Sequence, residues 1–202
     1  MSCWAVIPIK APPDRKTRLA GALDETARDS LVQRMAAHVA AAAAAATGID
    51  RVAYLTANPI GLPGDVPVLA DSGGGLNGAV AGALAQIAEA GGTRVVIVAG
   101  DLPLVTATEI ALLAAVADDA AAIAPDRHGV GTNALSLPLP RAAGFRFAFG
   151  ADSLARHRAE AVRLALDLVE VRSEGLARDI DLPNDLADAA PLMHDKPTSE
   201  RT

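Results

Sequence analysis

Aromatic side chains are nearly missing from this chain: one Trp, one Tyr and three Phe, 2% of 202 residues. Hydrophobic residues still make up 51%, so a core must be built from Ala, Val, Leu and Ile. Small Ala-rich helices pack closely on a sheet but bury less apolar area per residue than aromatic packing does. Cysteine is limited to Cys3, which excludes an intrachain disulfide and points to a reducing compartment. Positive charge is also short, with 18 Lys and Arg against 24 Asp and Glu and a net charge of -6. That balance argues against a general nucleic-acid binder, although a few local cations or a metal can reverse the sign at one site. No apolar run is long enough for a membrane span. Trp4 to Ile9 meets Lys10 and Pro12 too soon for a signal peptide, and the alanine run near 39–46 is short and flanked by Arg34 and His38. A soluble, cytoplasmic protein is expected, with neither nucleic acid nor membrane as partner. Neither the glycine-lysine spacing of a P-loop nor a GxGxxG dinucleotide fingerprint occurs, which removes P-loop NTPases and NAD enzymes.

What is present is an alternation of apolar β-type runs and helical stretches. Strands are expected at Ala5–Ile9, Arg51–Thr56, Pro67–Ala70, Val95–Val98, Ala121–Ala124, Ala134–Leu137 and near Leu168–Val171. Helices are expected from Glu25 to about Thr47, capped by Asp24 and stopped by Gly48, over Asn77–Ala90, after a Thr106–Glu109 capping box, and over Asp152–Ala165. The unbroken run Val95-Val96-Ile97-Val98 marks a central strand covered on both faces. The alternation predicts an α/β fold: one domain over residues 1–192, a mostly parallel, doubly wound sheet flanked by helices, and a polar tail over 193–202.

In open α/β sheets ligands bind beyond the carboxyl ends of the strands, and the loops there hold most of the unusual residues. Asp101 directly follows the central strand in Val98-Ala99-Gly100-Asp101-Leu102-Pro103 and can hold a hard cation through oxygen; a chain-turning Asp before a helix is the plainer alternative. Asp179 and Asp181 share one face of an extended segment by period two. Carboxylates on two separate strand ends can clamp Mg²⁺ against a triphosphate, though a solvated turn with Asn184 as a cap fits the same residues. Gly129-Val130-Gly131-Thr132-Asn133 offers backbone N–H groups and a hydroxyl to an anion. Gly150-Ala151-Asp152-Ser153 opens a helix whose N-terminus does likewise; a turn and a cap are the bland readings. The Asp71–Asn77 loop, rich in glycine, can fold round a base or ribose, or merely cap the next helix. Lys10, Arg15, Lys16 and Arg18 crowd the first loop, where cations suit a triphosphate, though a solvated surface loop is common for such runs. His157 falls on the Ser153 face of its helix, one turn on. Trp4 and Met193 read as packing residues, and His38, His128 and His194 form no metal spacing.

Taken in order, these segments resemble a known family. Ile7-Pro8-Ile9-Lys10 with Lys16-Thr17-Arg18-Leu19, the Gly75-Leu76-Asn77 end of the glycine loop, Gly100-Asp101-Leu102-Pro103, Pro125-Asp126-Arg127 with Gly129-Val130-Gly131-Thr132-Asn133-Ala134-Leu135, Phe149-Gly150-Ala151-Asp152-Ser153 with His157, and Asp179-Ile180-Asp181 with Asp185-Leu186 look like the 2-phospho-L-lactate guanylyltransferase family of coenzyme F-420 biosynthesis. The resemblance spans about residues 4–187. It implies a GT-A-like nucleotidyltransferase fold, GTP as donor, and Mg²⁺ held by the catalytic Asp101 and Asp181. It implies that Lys10, Lys16, Arg18, Gly75 and Asn77 meet the nucleotide and that Thr132, Gly150 and Ser153 hold the phospho-acid. The acceptor implied is 2-phospho-L-lactate, phosphoenolpyruvate or 3-phospho-D-glycerate, and a homodimer is allowed for. One departure is visible, Pro12-Pro13-Asp14 between the two lysines. Two rivals stand beside this reading. Molybdenum-cofactor nucleotidyltransferases open with a glycine-rich loop where this chain has Lys10-Ala11-Pro12-Pro13. A non-catalytic nucleotide- or phospho-acid-binding protein would not need both distant aspartates.

Overall fold

Two strands buried on both faces set the frame. In β1 (Cys3–Pro8), Ala5 and Ile7 face one apolar layer while Val6 faces the other; in β4 (Arg94–Val98), Val96 and Val98 oppose Val95 and Ile97 in the same way. The computed structural model describes residues 2–10, 16–71 and 73–194. Around this pair a seven-stranded sheet forms in the order β3-β2-β1-β4-β6-β5-β7, with β2 at Arg51–Thr56, β3 at Val68–Ala70, β5 at Ala121–Pro125, β6 at Thr132–Pro138 and β7 at Leu168–Glu170. All neighbours pair parallel except β6, which runs antiparallel to both β4 and β5. The mostly parallel sheet expected from the alternation is therefore present, with one reversed strand inside it.

Helix α1 (Glu25–Ala44) buries Leu31, Val32, Met35, Ala36, Val39, Ala40 and Ala43, a stripe at three- and four-residue spacing, on one face of the sheet beside α3 (Ala107–Ala114). The alanines let this helix sit close to the sheet. Asp24 accepts from the Ala27 amide at 2.8 Å, as expected of the cap. The helix ends three residues before the expected Thr47, because the Ala46 amide turns to the Ala43 carbonyl at 3.1 Å and tightens the last turn ahead of Gly48. The other face is covered by α2 (Gly75–Glu89) and α4 (Ser153–Arg163), which contribute Ala79, Val80, Ala83, Leu84, Ile87, Leu154 and Ala161.

The Thr106 capping box is present, with Glu109 Oε2 accepting from the Thr106 amide at 2.8 Å. Its other oxygen accepts from the Gly175 amide at 2.8 Å, docking the short helix α5 (Glu174–Ala177) on α3. Helix α6 (Ala190–His194) closes the described chain and takes in the first two residues of the tail expected over 193–202; residues 195–202 lie outside the described residues. Trp4 enters near the start of β1, paired with Arg51 of β2, whose guanidinium lies 5.0 Å from the ring centre. Among the described residues no helix is long and apolar enough to cross a membrane.

Candidate active site

The carboxyl ends of β1, β4 and β5 share one rim of the sheet. Because β6 is reversed, the loop that precedes it opens on that same rim, so the Thr132 loop stands beside Asp101 although one leads into a strand and the other leaves one. Asp101 is delivered by Gly100, where a Cβ would lie 3.2 Å from both the Pro8 carbonyl and a methyl of Ile7. Asp181 arrives from the far end of the chain. The Ile180 amide donates to the Asp101 carbonyl at 3.2 Å, and the Ile180 side chain is fully buried. Arg127 donates to the Asp179 carbonyl and pairs with Asp185 and Asp188. Asp185 in turn accepts from the amides of Asp181 and Leu182 at 2.9 and 2.7 Å. Asn133 donates from one amide nitrogen to the Leu176 carbonyl and to Asp179 Oδ1 at 3.0 and 3.2 Å.

The two expected metal ligands converge on a single cation. Lys16 Nζ donates to Asp101 and, at 3.0 Å, to Asp181 Oδ1, with its side chain only 12% exposed. Lys16 reaches this place in a left-handed conformation, φ +47°, at the head of a short 3-10 turn over Thr17–Leu19 that buried Leu19 anchors. Burial alone would favour the neutral amine, but the charges of Asp101 and Asp181 outweigh it and hold the Lys16 pKa above its ordinary value. Burial likewise pushes Asp181 upward, yet Lys16, then Arg18 and Lys10, bring it below the usual carboxylate range. Asp179 goes the other way, raised by burial and by the nearby charges of Asp101 and Asp181 against the Asn133 hydrogen bond. Arg18 lies 3.5 Å from Asp181 Oδ2 and is largely exposed, and Lys10 is exposed just past β1. Arg15 lies outside the described residues.

The position of Nζ shows that this pair fits a cation. Among the described residues there is no group of three or more His, Cys, Asp or Glu side chains able to hold a metal. A divalent ion here would take two protein carboxylates and fill its shell with phosphate oxygens and water, which suits magnesium.

The glycine loop begins with Asp71 Oδ1 accepting from the Gly73 amide at 2.8 Å. Gly73, Gly74 and Gly75 all have positive φ, +85°, +81° and +69°, a run that side-chain-bearing residues do not sustain. Asn77, expected at the nucleotide, uses both ends of its amide on Phe149: Oδ1 accepts from the amide at 2.7 Å and Nδ2 donates to the carbonyl at 3.3 Å. It thereby ties the glycine loop to the Gly150 turn.

Thr132, Gly150 and Ser153 come together as well. The Leu154 amide, in the first turn of α4, donates to the Val130 carbonyl at 3.0 Å and docks the helix start on the Thr132 loop. Ser153 and Thr132 are both buried. A side chain at Gly150 would meet nothing within 4 Å, so its φ of +117°, rather than crowding by the protein, is what calls for glycine. His157 is completely buried between the two loops, with Thr132 Oγ1 3.0 Å from Nδ1 and the Ala148 amide 3.0 Å from Nε2. All three phenylalanines of the chain lie beside it or beside one another: Phe149 and Phe145 have ring centres 4.8 and 5.8 Å from the imidazole, and Phe147 lies 5.3 Å from Phe145.

Sequence reasoning assigned no role to Arg127, Asn133 or Asp185, which hold the Asp181 segment. Their partners lie far along the chain or in an irregular turn, where periodicity carries no signal. The Phe145-x-Phe147-x-Phe149 spacing was a usable signal in so aromatic-poor a chain.

Comparison with known proteins places the chain in a family. The model of the family described as "Guanylyl transferase CofC like" matches residues 3–201. A phosphoenolpyruvate guanylyltransferase of Sphaerobacter thermophilus is 40% identical over 196 residues, covering 94% of this chain and 93% of that protein. One from Chloroflexus aggregans is 41% identical over 184 residues, covering 87% and 90%. In fold, the chain resembles a nucleotidyl transferase from Methanothermobacter (TM-score 0.66, 17% identity, 95% of this chain and 98% of that one). It also resembles 4-diphosphocytidyl-2C-methyl-D-erythritol synthase from Anaerococcus prevotii (TM-score 0.60, 10% identity, 96% of each chain).

Proposed function

Because the chain belongs to the CofC-like guanylyl transferase family and is an enzyme that transfers nucleotidyl groups, we propose that it moves GMP from GTP to phosphoenolpyruvate and releases pyrophosphate. The observation that carries this reading is the convergence of Asp101 and Asp181 on one cation position, on the same rim as the docked Thr132 and Gly150–Ser153 segments. The names of the relatives favour phosphoenolpyruvate over 2-phospho-L-lactate and 3-phospho-D-glycerate as acceptor.

In this reading a phosphate oxygen of the acceptor attacks the α-phosphorus of GTP in line. A new P–O–P link forms as the bond to the pyrophosphate oxygen breaks. The acceptor phosphate is already largely ionised near neutral pH, so no residue has to remove a proton. Both reactants are anions, and the protein's task is to bring them together and offset their repulsion. Lys16, Arg18 and Lys10 line the triphosphate side. The backbone of the Gly73–Gly75 loop offers donors to the nucleotide, and Asn77 holds that loop against the Gly150 turn. Thr132, Gly150 and Ser153 present donors to the acid. Asp101 and Asp181 would hold Mg²⁺, which when bound supplies charge neutralisation at the triphosphate.

The test is to incubate the purified protein with GTP, Mg²⁺ and each of the three acids and to weigh the products. The expected outcome is guanosine joined to enolpyruvate through a diphosphate, with kcat/KM for this acid at least about tenfold above the other two, about 1.4 kcal/mol of discrimination. A larger kcat/KM for either rival acid would transfer the assignment to it. Equal use of ATP and CTP in place of GTP would remove the guanylyl specificity.

A further inference from the structure

His157 bonds on one side to Thr132 and on the other to the segment that leads into Gly150. A backbone amide can only donate, so Nε2, 3.0 Å from the Ala148 nitrogen, must carry a lone pair. The ring proton is then on Nδ1 and points at Thr132 Oγ1, 3.0 Å away. A hydroxyl that accepts from the imidazole keeps its own hydrogen to give, and among the described residues Thr132 Oγ1 has no second partner. Thr132 is 8% exposed, at the rim end of β6, so that hydrogen is left to be given at the rim.

We propose that His157 is a positioning residue that fixes the Thr132 hydroxyl as an oriented donor to an anionic group of the acceptor acid, while its other nitrogen latches the Phe145–Phe149 segment in place just ahead of Gly150. The inference rests on the assignment of Thr132 to the acceptor. Burial supports the tautomer: it pushes the imidazole pKa down to about 4, the nearby charge of Glu160 offsetting only part of that, so the ring is neutral at working pH. A protonated ring would donate from both nitrogens and would lose the Ala148 bond. The edge-on contact with Phe149, at 4.8 Å, fixes the ring plane that aims Nδ1. This arrangement resembles the way a histidine bound at one nitrogen has the role of the other dictated by its partner.

The test separates the two nitrogens. His157→Gln places its amide near Nε2, can still accept from Ala148, and cannot reach Thr132; His157→Asn places its amide near Nδ1 and does the reverse. The Gln variant is expected to raise KM for the acid about tenfold, the loss of one oriented hydrogen bond, with KM for GTP within about twofold of the parent. The Asn variant is expected to keep the KM of the acid within about threefold while melting earlier. Thr132→Val should raise acceptor KM by a similar factor, and the Gln change should add nothing further in that background, because its effect passes through the hydroxyl. If the two effects multiply, or if Asn raises KM as much as Gln, His157 only packs and the proposal is wrong while Thr132 stays at the acceptor. If Thr132→Val instead raises KM for GTP and spares the acid, the acceptor assignment itself fails and the proposal goes with it. Should the Gln variant not fold, the Asn variant decides alone: a KM for the acid within about threefold of the parent supports the proposal, and one raised about tenfold overturns it.

Discussion

Lys16 is bonded to Asp101 and Asp181 at once, and this couples the first loop to residues 85 and 165 positions away. Removing the ammonium leaves two carboxylates facing each other, with Asp179 close behind, and like charges at that range repel. Lys16→Met should therefore melt lower than the parent in EDTA, by about 1 kcal/mol or roughly 3 °C. Millimolar Mg²⁺ should restore most of that loss and raise the melting point of the variant more than that of the parent, in which the lysine competes for the same place. A thermal melt with and without Mg²⁺ checks this; equal shifts in the two proteins would mean that the ion binds elsewhere. At this scale the sequence was informative about single residues, and it set Asp101 beside Asp181 through the family resemblance, but it carried no sign of what bonds to them. Asp101 stood out because it ends the most apolar run. That Lys16 lies between Asp101 and Asp181, or that Asn133 holds Asp179, depends on long-range contacts with no local pattern.

Strand β6 is where reading by elements met its limit. Its apolar run marked it as a strand, but neighbour order and direction leave little trace in one sequence, and its reversal is what places the Thr132 loop on the rim with Asp101. Helix boundaries were legible to within a few residues, because caps such as Asp24 and Thr106 act locally. The Gly150 turn was legible as a helix start, because α4 begins at Ser153 directly after it. A methyl group there meets open space, so only the positive φ resists substitution. Gly150→Ala should destabilise the protein by about 1 kcal/mol or more through backbone strain alone. Urea denaturation measures it, and a loss below about 0.3 kcal/mol would show that the turn relaxes freely.

Across the whole molecule the buried imidazole links stability to acidity. His157 has its pKa pushed down to about 4 in the fold, from an ordinary 6.5. Between those values the unfolded chain takes up a proton that the native state refuses. The contribution of His157 is thus complete above about pH 6.5 and is lost progressively as the pH falls toward 4, up to about 3 kcal/mol. Urea midpoints at pH 7.5 and pH 4.5 should differ more in the parent than in His157→Gln, in which the titrating group is gone; equal differences would place the acid sensitivity elsewhere. The fold itself was well foreshadowed, since a chain of alternating strands and helices with a doubly covered central strand has few arrangements open to it.

The lone tryptophan sits at the opposite end of this architecture. Trp4 lies near the start of β1 against the Arg51 guanidinium, and Lys10 follows six residues later, about 20 Å along an extended chain. The intrinsic fluorescence of the protein is therefore a gauge of whether the sheet is intact, dark to whatever occupies the far rim. A ligand titration followed by that emission would stay flat even at full occupancy, and a probe placed near Phe149 would be needed to see the site fill.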